Sequence, residues 1–503
     1  MLGIFFLAGS LVKSCTAIGS LQVNTTVGMS YGLINGTTPH VVQFLGIPYA
    51  EPPVGSLRWA APVMKSPEDS IDATRFSPSC PQFADSGPDV YTVDVPEFNI
   101  NNPTSEDCLT INVWSPLTPA TDYTEKLPVL VWMFGGGFQN GGLDVEYQIP
   151  SQWVERTQSH IVVALNYRLN IFGFPNAAGQ NQNEYNLGLL DQRLALEWVR
   201  SNIVSFGGDP SRVTLWGQSA GAGSVDYYNF AYPKNPIVTG LIMDSGTALH
   251  PTLLTNDPTH TNFTFVAGQL GCGGLNAGAE LDCMRNVSFS EIESFLKNYN
   301  ENGTAPSLNF SPVPDDVVTF SNYTARALAG NYTKLPAIIG TNTNEGVSLV
   351  RYNSEGVDMT NANYVTLSHF TCPAVQTTKN RYALSVPTYR YLYAGNFTNI
   401  SPRPWEGAYH CSELPMFFGT SGIAHGGSTP FELVVSRSMQ DMYLAFITDG
   451  PAGLETKGWK AYTPNGAVLE FGKGDTVVGN LAMESFEKVC DGIEPVAGSV
   501  PPM

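Results

Sequence analysis

Five apolar runs of strand length, none of them alternating with polar residues, limit what this chain can become. They are Leu127 to Phe134 (LPVLVWMF), Ile161 to Leu165 (IVVAL), Val213 to Trp216 (VTLW), Gly240 to Met243 (GLIM) and Leu335 to Ile339 (LPAII). A strand with one wet face would alternate, so these runs predict strands buried on both faces of a parallel sheet. Between them, Leu187 to Phe206 sets Leu190, Leu194, Trp198 and Ile203 near helical spacing and meets a stop at Gly207 and Gly208. Strand, helix and strand in succession demand right-handed crossovers, hence an α/β class fold: a large, mixed, mostly parallel central sheet with helices on both faces. Pro, Gly, Asn and Thr thicken over 80–108 and much of 250–330, where long loop excursions are expected. No charged linker and no repeat of solenoid period divides residues 20–503, so a single domain is expected there.

The balance of 44 acidic against 25 basic side chains, a net charge of -19, repels phosphate backbones and anionic membrane surfaces, which excludes nucleic acid as a partner. Leu2 to Val12 is apolar and is followed by small residues at Cys15, Ala17 and Gly19, so residues 1–19 read as a signal peptide; a buried N-terminal segment is the alternative, since no positive charge precedes the run. Sequons begin at Asn24, Asn35, Asn262, Asn286, Asn302, Asn309, Asn322, Asn331, Asn396 and Asn399. So many candidate glycosylation sites point to the secretory route. No second apolar run is long enough to span a bilayer, and 496–503 is too short and polar for a lipid-anchor signal. A soluble, secreted, extracellular protein without stable membrane association is expected.

Val213 to Ser224 (VTLWGQSAGAGS) joins a strand-like run to G-x-S-x-G at Gly217-Gln218-Ser219-Ala220-Gly221. In this setting a serine occupies a strained strand-to-helix turn, flanking glycines avoid collision with neighbouring backbone, and the helix N-terminus aims amides at an oxygen that becomes negative. Trp132 to Phe138 (WMFGGGF) is a second strand-like run, ending in Gly135, Gly136 and Gly137. Bare backbone N–H groups there suit an oxyanion hole; a plain loop is the other reading. A phosphate loop fails, because no Lys-Ser, Lys-Thr or G-x-G-x-x-G spacing accompanies either glycine cluster. A nucleophilic serine in such a turn calls for an acid and then a histidine, in that chain order. Leu335 to Gly346 (LPAIIGTNTNEG) supplies Glu345 just past a strand, and His369, His410 and His425 follow it. Spacing does not choose among the three. With no H-E-x-x-H and no zinc-like cysteine spacing, no metal or organic cofactor is expected.

From about Val41 onward the chain resembles the type B carboxylesterase and lipase family of α/β-hydrolases, which includes the cholinesterases. The resemblance is carried in order by FLGIPYAEPPVGSLRW (44–59), SEDCLTINVW (105–114), WMFGGGF (132–138), NYRLNIFGF (166–174), NLGLLDQ (186–192) and FGGDPSRVTLWGQSAGAGS (206–224). It implies a Ser219, Glu345 and His410 triad, selecting His410 through YHCSELPMFFG (409–419), with the backbone N–H groups of Gly136, Gly137 and Ala220 as oxyanion donors. His369 and His425 become structural. It further implies an Arg58–Glu106 ion pair and the bridges Cys80–Cys108, Cys272–Cys283 and Cys372–Cys490, with Cys411 an inert thiol.

The activity implied is hydrolysis of small-molecule carboxylic esters through an acyl-enzyme. Choline esters are disfavoured by the absence of tryptophan in 80–108 and by Gln218, where cholinesterases carry glutamate. A lipase lid needs an apolar face, whereas the segment between Cys80 and Cys108 carries Asp85, Asp89, Asp94, Glu97, Glu106 and Asp107 and reads as a solvated loop. Soluble or small apolar esters therefore rank above triacylglycerols. A non-catalytic adhesion or binding protein of the same fold is the reading from another class, set back by the presence of every catalytic residue; the oligomeric state is left open. Thiol titration of the denatured, unreduced chain lacking its leader is expected to find one free thiol, and three or more would reject the bridge assignment.

Overall fold

The computed structural model describes residues 21–83, 87–117, 126–254, 257–304 and 306–493; the expected leader over 1–19 and the acidic Asp85 lie outside the described residues. Among these residues eleven strands share one sheet. Its centre is a run of parallel strands, here numbered in chain order: β1 (Leu127–Met133), β2 (Ile161–Leu165), β3 (Gly208–Gln218), β4 (Gly240–Asp244), β5 (Ala337–Asn342), β6 (Thr388–Tyr393) and β7 (Ala467–Phe471). Across the sheet the order is β7, β6, β5, β4, β3, β1, β2. Antiparallel strands flank it: Val478–Ala482 beside β7, and Thr110–Pro116, Thr38–Pro48 and Leu33–Asn35 beyond β2. Each apolar run in the sequence lies on one of the parallel strands. β5 begins at Ala337 rather than Leu335, in keeping with the missing N–H of Pro336.

Both sheet faces are covered, which is why the runs do not alternate: Val213, Thr214, Leu215 and Trp216 of β3 are all buried. Helix α1 (Leu187–Asn202) leads into β3 and its final turn stops at Gly207, whose φ of 87° suits glycine. Helix α2 (Ala220–Ala231) leaves β3 and packs on the face of Gly217, where a Cβ would lie 2.3 Å from the backbone carbon of Gly221. On the opposite face Trp216 stacks on Phe418 at 4.8 Å and meets Tyr443 of helix α3 (Pro430–Asp449). The chain goes from β1 outward to β2 and returns to β3 on the other side of β1. The strand order therefore reverses there, and the crevice beyond the carboxyl ends at such a reversal is where open α/β sheets bind ligands.

Two expectations are corrected. Much of 250–330 is helical rather than loop, over Thr261–Gln269, Ala277–Met284, Phe289–Glu301 and Tyr323–Leu328. The first three bury Phe263, Val266, Leu281, Ile292 and Leu296 against Trp59 and Phe172 in a satellite core, and Ser288 with Glu291 forms a capping box at the third. The segment between Cys80 and Cys108 is not simply solvated either. Val90, Asp94 and Val95 are buried, Asp94 accepts from Arg403 Nε at 2.7 Å, and Glu106 is buried against Arg58 with both oxygens bonded at 2.6 Å.

Cys80–Cys108, Cys272–Cys283 and Cys372–Cys490 are disulfide-bonded, and Cys411 is free. Among the sequon residues, Asn24, Asn35, Asn286, Asn302, Asn309, Asn322, Asn331 and Asn396 are exposed and Asn262 is half-buried. Asn399 is the exception, buried with its amide donating to Ser421 O and Glu432 Oε1. Attachment of a glycan requires a reachable amide, so Asn399 leaves the candidate set.

An ion pair that the sequence did not announce ties β2 to α1. Arg168 donates from Nε and Nη2 to the two oxygens of Asp191 at 2.8 and 2.7 Å, and the side chains are 2% and 0% exposed. Removing one partner strands a buried charge, so Asp191→Ala is expected to lower the unfolding free energy by about 3–5 kcal/mol in urea denaturation. A loss well under 1 kcal/mol would show that the pair contributes little.

Candidate active site

Ser219 is the residue between β3 and α2, with φ 56° and ψ −124°, a conformation that L side chains rarely adopt. The turn is that tight because its flanks are glycines: a Cβ on Gly221 would fall 2.1 Å from Met133 O. Ser219 N donates to Asp244 O at 2.8 Å, hanging the turn from the end of β4. The glycine loop after β1 abuts the serine, since a Cβ on Gly135 would lie 2.8 Å from Ser219 Cβ. Gly136 and Gly137 have φ of 89° and 61°, are exposed, and make no hydrogen bond through N–H among the described residues. Ala220 opens α2, where the first amides have no intrahelical partner. These three N–H groups, at the mouth beside Ser219, can receive a negative oxygen.

Glu345 lies three residues past β5 and is fully buried. Its Oε1 accepts from Ser245 Oγ at 2.5 Å and Asn342 N at 2.7 Å, and its Oε2 is 2.6 Å from His410 Nδ1. The 65 residues separating acid from histidine are closed by an isolated bridge pairing Asn344 with Tyr409. On the far side of the ring, His410 Nε2 is 3.3 Å from the Gln218 amide nitrogen rather than bonded to the Ser219 hydroxyl. An amide N–H there needs Nε2 as acceptor, so Nδ1 carries the proton that faces Glu345, the tautomer a general base requires. The structure thus joins Glu345 and His410 directly, and reaches Ser219 through its neighbour Gln218. His425 stands apart from this group, 3.1 Å from Glu97.

Sequence reasoning missed several members. Tyr91, from the segment closed by Cys80–Cys108, donates its hydroxyl to His410 O at 2.7 Å. Phe370 packs its ring 4.6 Å from that of His410. Cys411, named from the sequence as an inert thiol, takes φ 76° and donates Sγ–H to Gln218 Oε1 at 3.3 Å. Burial first, then the carboxyl of Glu413, pushes its thiol well up, which keeps it a donor and not a nucleophile. Glu413 itself is raised well above the carboxylate range by burial and then by Glu345 and Asp244. Asp244, fed by Trp216 Nε1 and Tyr443 Oη at 2.6 Å each, is raised to about 7, by burial above all. Among the described residues no group of side chains is arranged to hold a metal ion, and no helix is long and apolar enough to cross a membrane.

The model of the carboxylesterase family matches residues 19–368 and 357–487. Chlorogenic acid esterase of Aspergillus niger is 46% identical over 466 residues, covering 90% of each chain. Secreted lipase 5 of Gibberella zeae is 43% identical, over 88% of this chain and 87% of that one. Acetylcholinesterase of Danio rerio is 34% identical, over 72% of this chain and 57% of its own.

The raised Asp244 carboxyl has a consequence for stability. Below about pH 4 folded and unfolded chains both hold its proton; between about 4 and 7 only the folded chain does, so this contribution is lost as pH rises through 7. Asp244→Asn removes the titration. The difference in thermal midpoint between variant and parent is therefore expected to shift in favour of the variant from pH 4 to pH 8, and a difference independent of pH would refute the raised carboxyl.

Proposed function

This chain belongs to the carboxylesterase family and is a carboxylic ester hydrolase, and we propose that it works through an acyl-enzyme formed on Ser219, with His410 as general base and Glu345 as the acid that orients it. The reading is carried by the 2.6 Å contact between His410 Nδ1 and a fully buried Glu345, set at the same carboxyl end of the sheet as a serine in a strained turn. When substrate enters, the Gln218 amide yields Nε2 to the Ser219 hydroxyl; the imidazole takes the proton as Oγ bonds the ester carbonyl carbon. Gly136, Gly137 and Ala220 then hold the oxyanion, each donor being worth about 3–4 kcal/mol of barrier. The imidazolium returns its proton to the departing alcohol. Water repeats the sequence and releases the acid.

Small, soluble esters fit better than an oil surface. In the segment closed by Cys80–Cys108, Tyr91 is tied to the histidine and Asp94 to Arg403, which supports a fixed wall over a mobile lid. The likeness to a secreted lipase keeps triacylglycerol hydrolysis as the second reading, and with the sequons it supports an extracellular site of action. An activity profile over acyl-chain length, run on dissolved and emulsified esters, separates the two. Ser219→Ala is expected to lower turnover of p-nitrophenyl butyrate by at least about 10⁴-fold with circular dichroism unchanged. Retained hydrolysis would mean that another group is the nucleophile.

A further inference from the structure

His250 and His369 stand beside the triad and have no part in the mechanism above. Their ring centroids are 5.3 Å apart at an interplanar angle of 79°. Phe370 lies between them and the base, 5.0 Å from His250 and 4.6 Å from His410, so one phenyl ring separates the pair from the base. Both come from segments that touch the catalytic turns. His250 closes the loop after β4, in which a Cβ on Gly246 would fall 2.2 Å from Ser219 O. His369 sits in the turn Thr366–Thr371, whose Thr366 accepts from Gly346 N, next to Glu345.

Local hydrogen bonds give the two imidazoles opposite polarity. Thr252 N donates to His250 Nδ1 at 3.3 Å, which requires a lone pair on Nδ1 and leaves the proton on Nε2. Ser368 Oγ donates its only proton to Tyr364 O at 2.6 Å. At its 2.8 Å contact with His369 Nδ1 it can only accept, so Nδ1 carries the proton and Nε2 is bare. Among the described residues neither Nε2 has a hydrogen-bond partner. Burial holds both rings below the usual histidine range, so both are neutral near pH 7.

A donor beside an acceptor is the complement of a hydroxyl group, which accepts and donates at once; a carbonyl or an amine satisfies one of the two, and a C–H neither. We propose that His250 and His369 form a hydroxyl-recognition subsite, selecting esters in which an aromatic ring on the acyl or alcohol half carries a hydroxyl about one ring's breadth from the scissile carbonyl. The proposal rests on the esterase reading centred on Ser219.

Two matched pairs of esters test it: methyl 3-(4-hydroxyphenyl)propanoate against methyl 3-phenylpropanoate, and 4-hydroxyphenyl acetate against phenyl acetate. The parent enzyme is expected to favour the hydroxylated member of one pair by at least about tenfold in kcat/KM, and the pair that discriminates tells which half is read. His250→Phe and His369→Phe should each bring that ratio close to one. The ratio is internal to each variant and so independent of the fraction of active protein. Ser368→Ala, which releases the His369 tautomer without removing the ring, should lower it as well, and decides the matter should either phenylalanine variant fail to fold. A parent ratio near one for both pairs, or ratios unchanged in the variants, overturns the proposal while leaving the esterase reading in place. Failure of the parent enzyme on all four esters while it hydrolyses p-nitrophenyl butyrate overturns the proposal alone, and failure on all five removes both.

Discussion

Ser219 is held at φ 56° and ψ −124° where Gly217 of β3 lies too close to α2, and Gly221 of α2 too close to the end of β1, for either to carry a side chain. A residue so placed costs about 1–3 kcal/mol in backbone strain, and it persists because the two longest-range features of the fold converge on it. One is the reversal of strand order, which brings the glycine loop after β1 against the end of β3. The other is the covered sheet, whose buried Trp132, Trp216 and Phe418 leave β3 no freedom to relax. Relaxing the turn would lay the serine back along the strand and carry its hydroxyl away from the crevice.

Electrostatics around the histidine follow from crowding. Asp244, Glu345 and Glu413 are three buried carboxyls in one neighbourhood, and a low-dielectric interior does not tolerate three negative charges together. Burial and mutual repulsion push Asp244 and Glu413 toward the protonated form. Glu345 accepts from Ser245, Asn342 and His410, and of the three it alone touches the imidazole. The carboxyl that touches the imidazole is thereby placed to stabilise a transient positive ring.

Much of this was legible in the residues. Apolar runs without alternation marked the parallel core, since burial on both faces leaves no wet side to encode. G-x-S-x-G after such a run marked the turn, and Glu345 was the one carboxyl past the next suitable strand. The histidine was different. Three candidates followed Glu345, and what brings His410 to it is a bridge between Asn344 and Tyr409, a tertiary closure that no spacing rule contains; family resemblance alone singled it out. The helices of 250–330 were hidden by helix-breaking composition. Tyr91 and Gln218 were unreadable as site residues because their roles depend on where two distant loops settle. Arg168 and Asp191 likewise meet only through the packing of α1.

The Cys372–Cys490 bond joins residues 118 apart in sequence, and His410 lies within that span while Ser219 and Glu345 lie before it. The base is therefore carried on a closed covalent ring that also contains β6, α3 and β7. A protease cutting the largely exposed stretch 422–427 would open the ring without freeing either piece. The severed halves would stay tethered at one sulfur bridge, each still laid into the sheet by its own strand. Damage to the backbone there need not separate the imidazole from its partners.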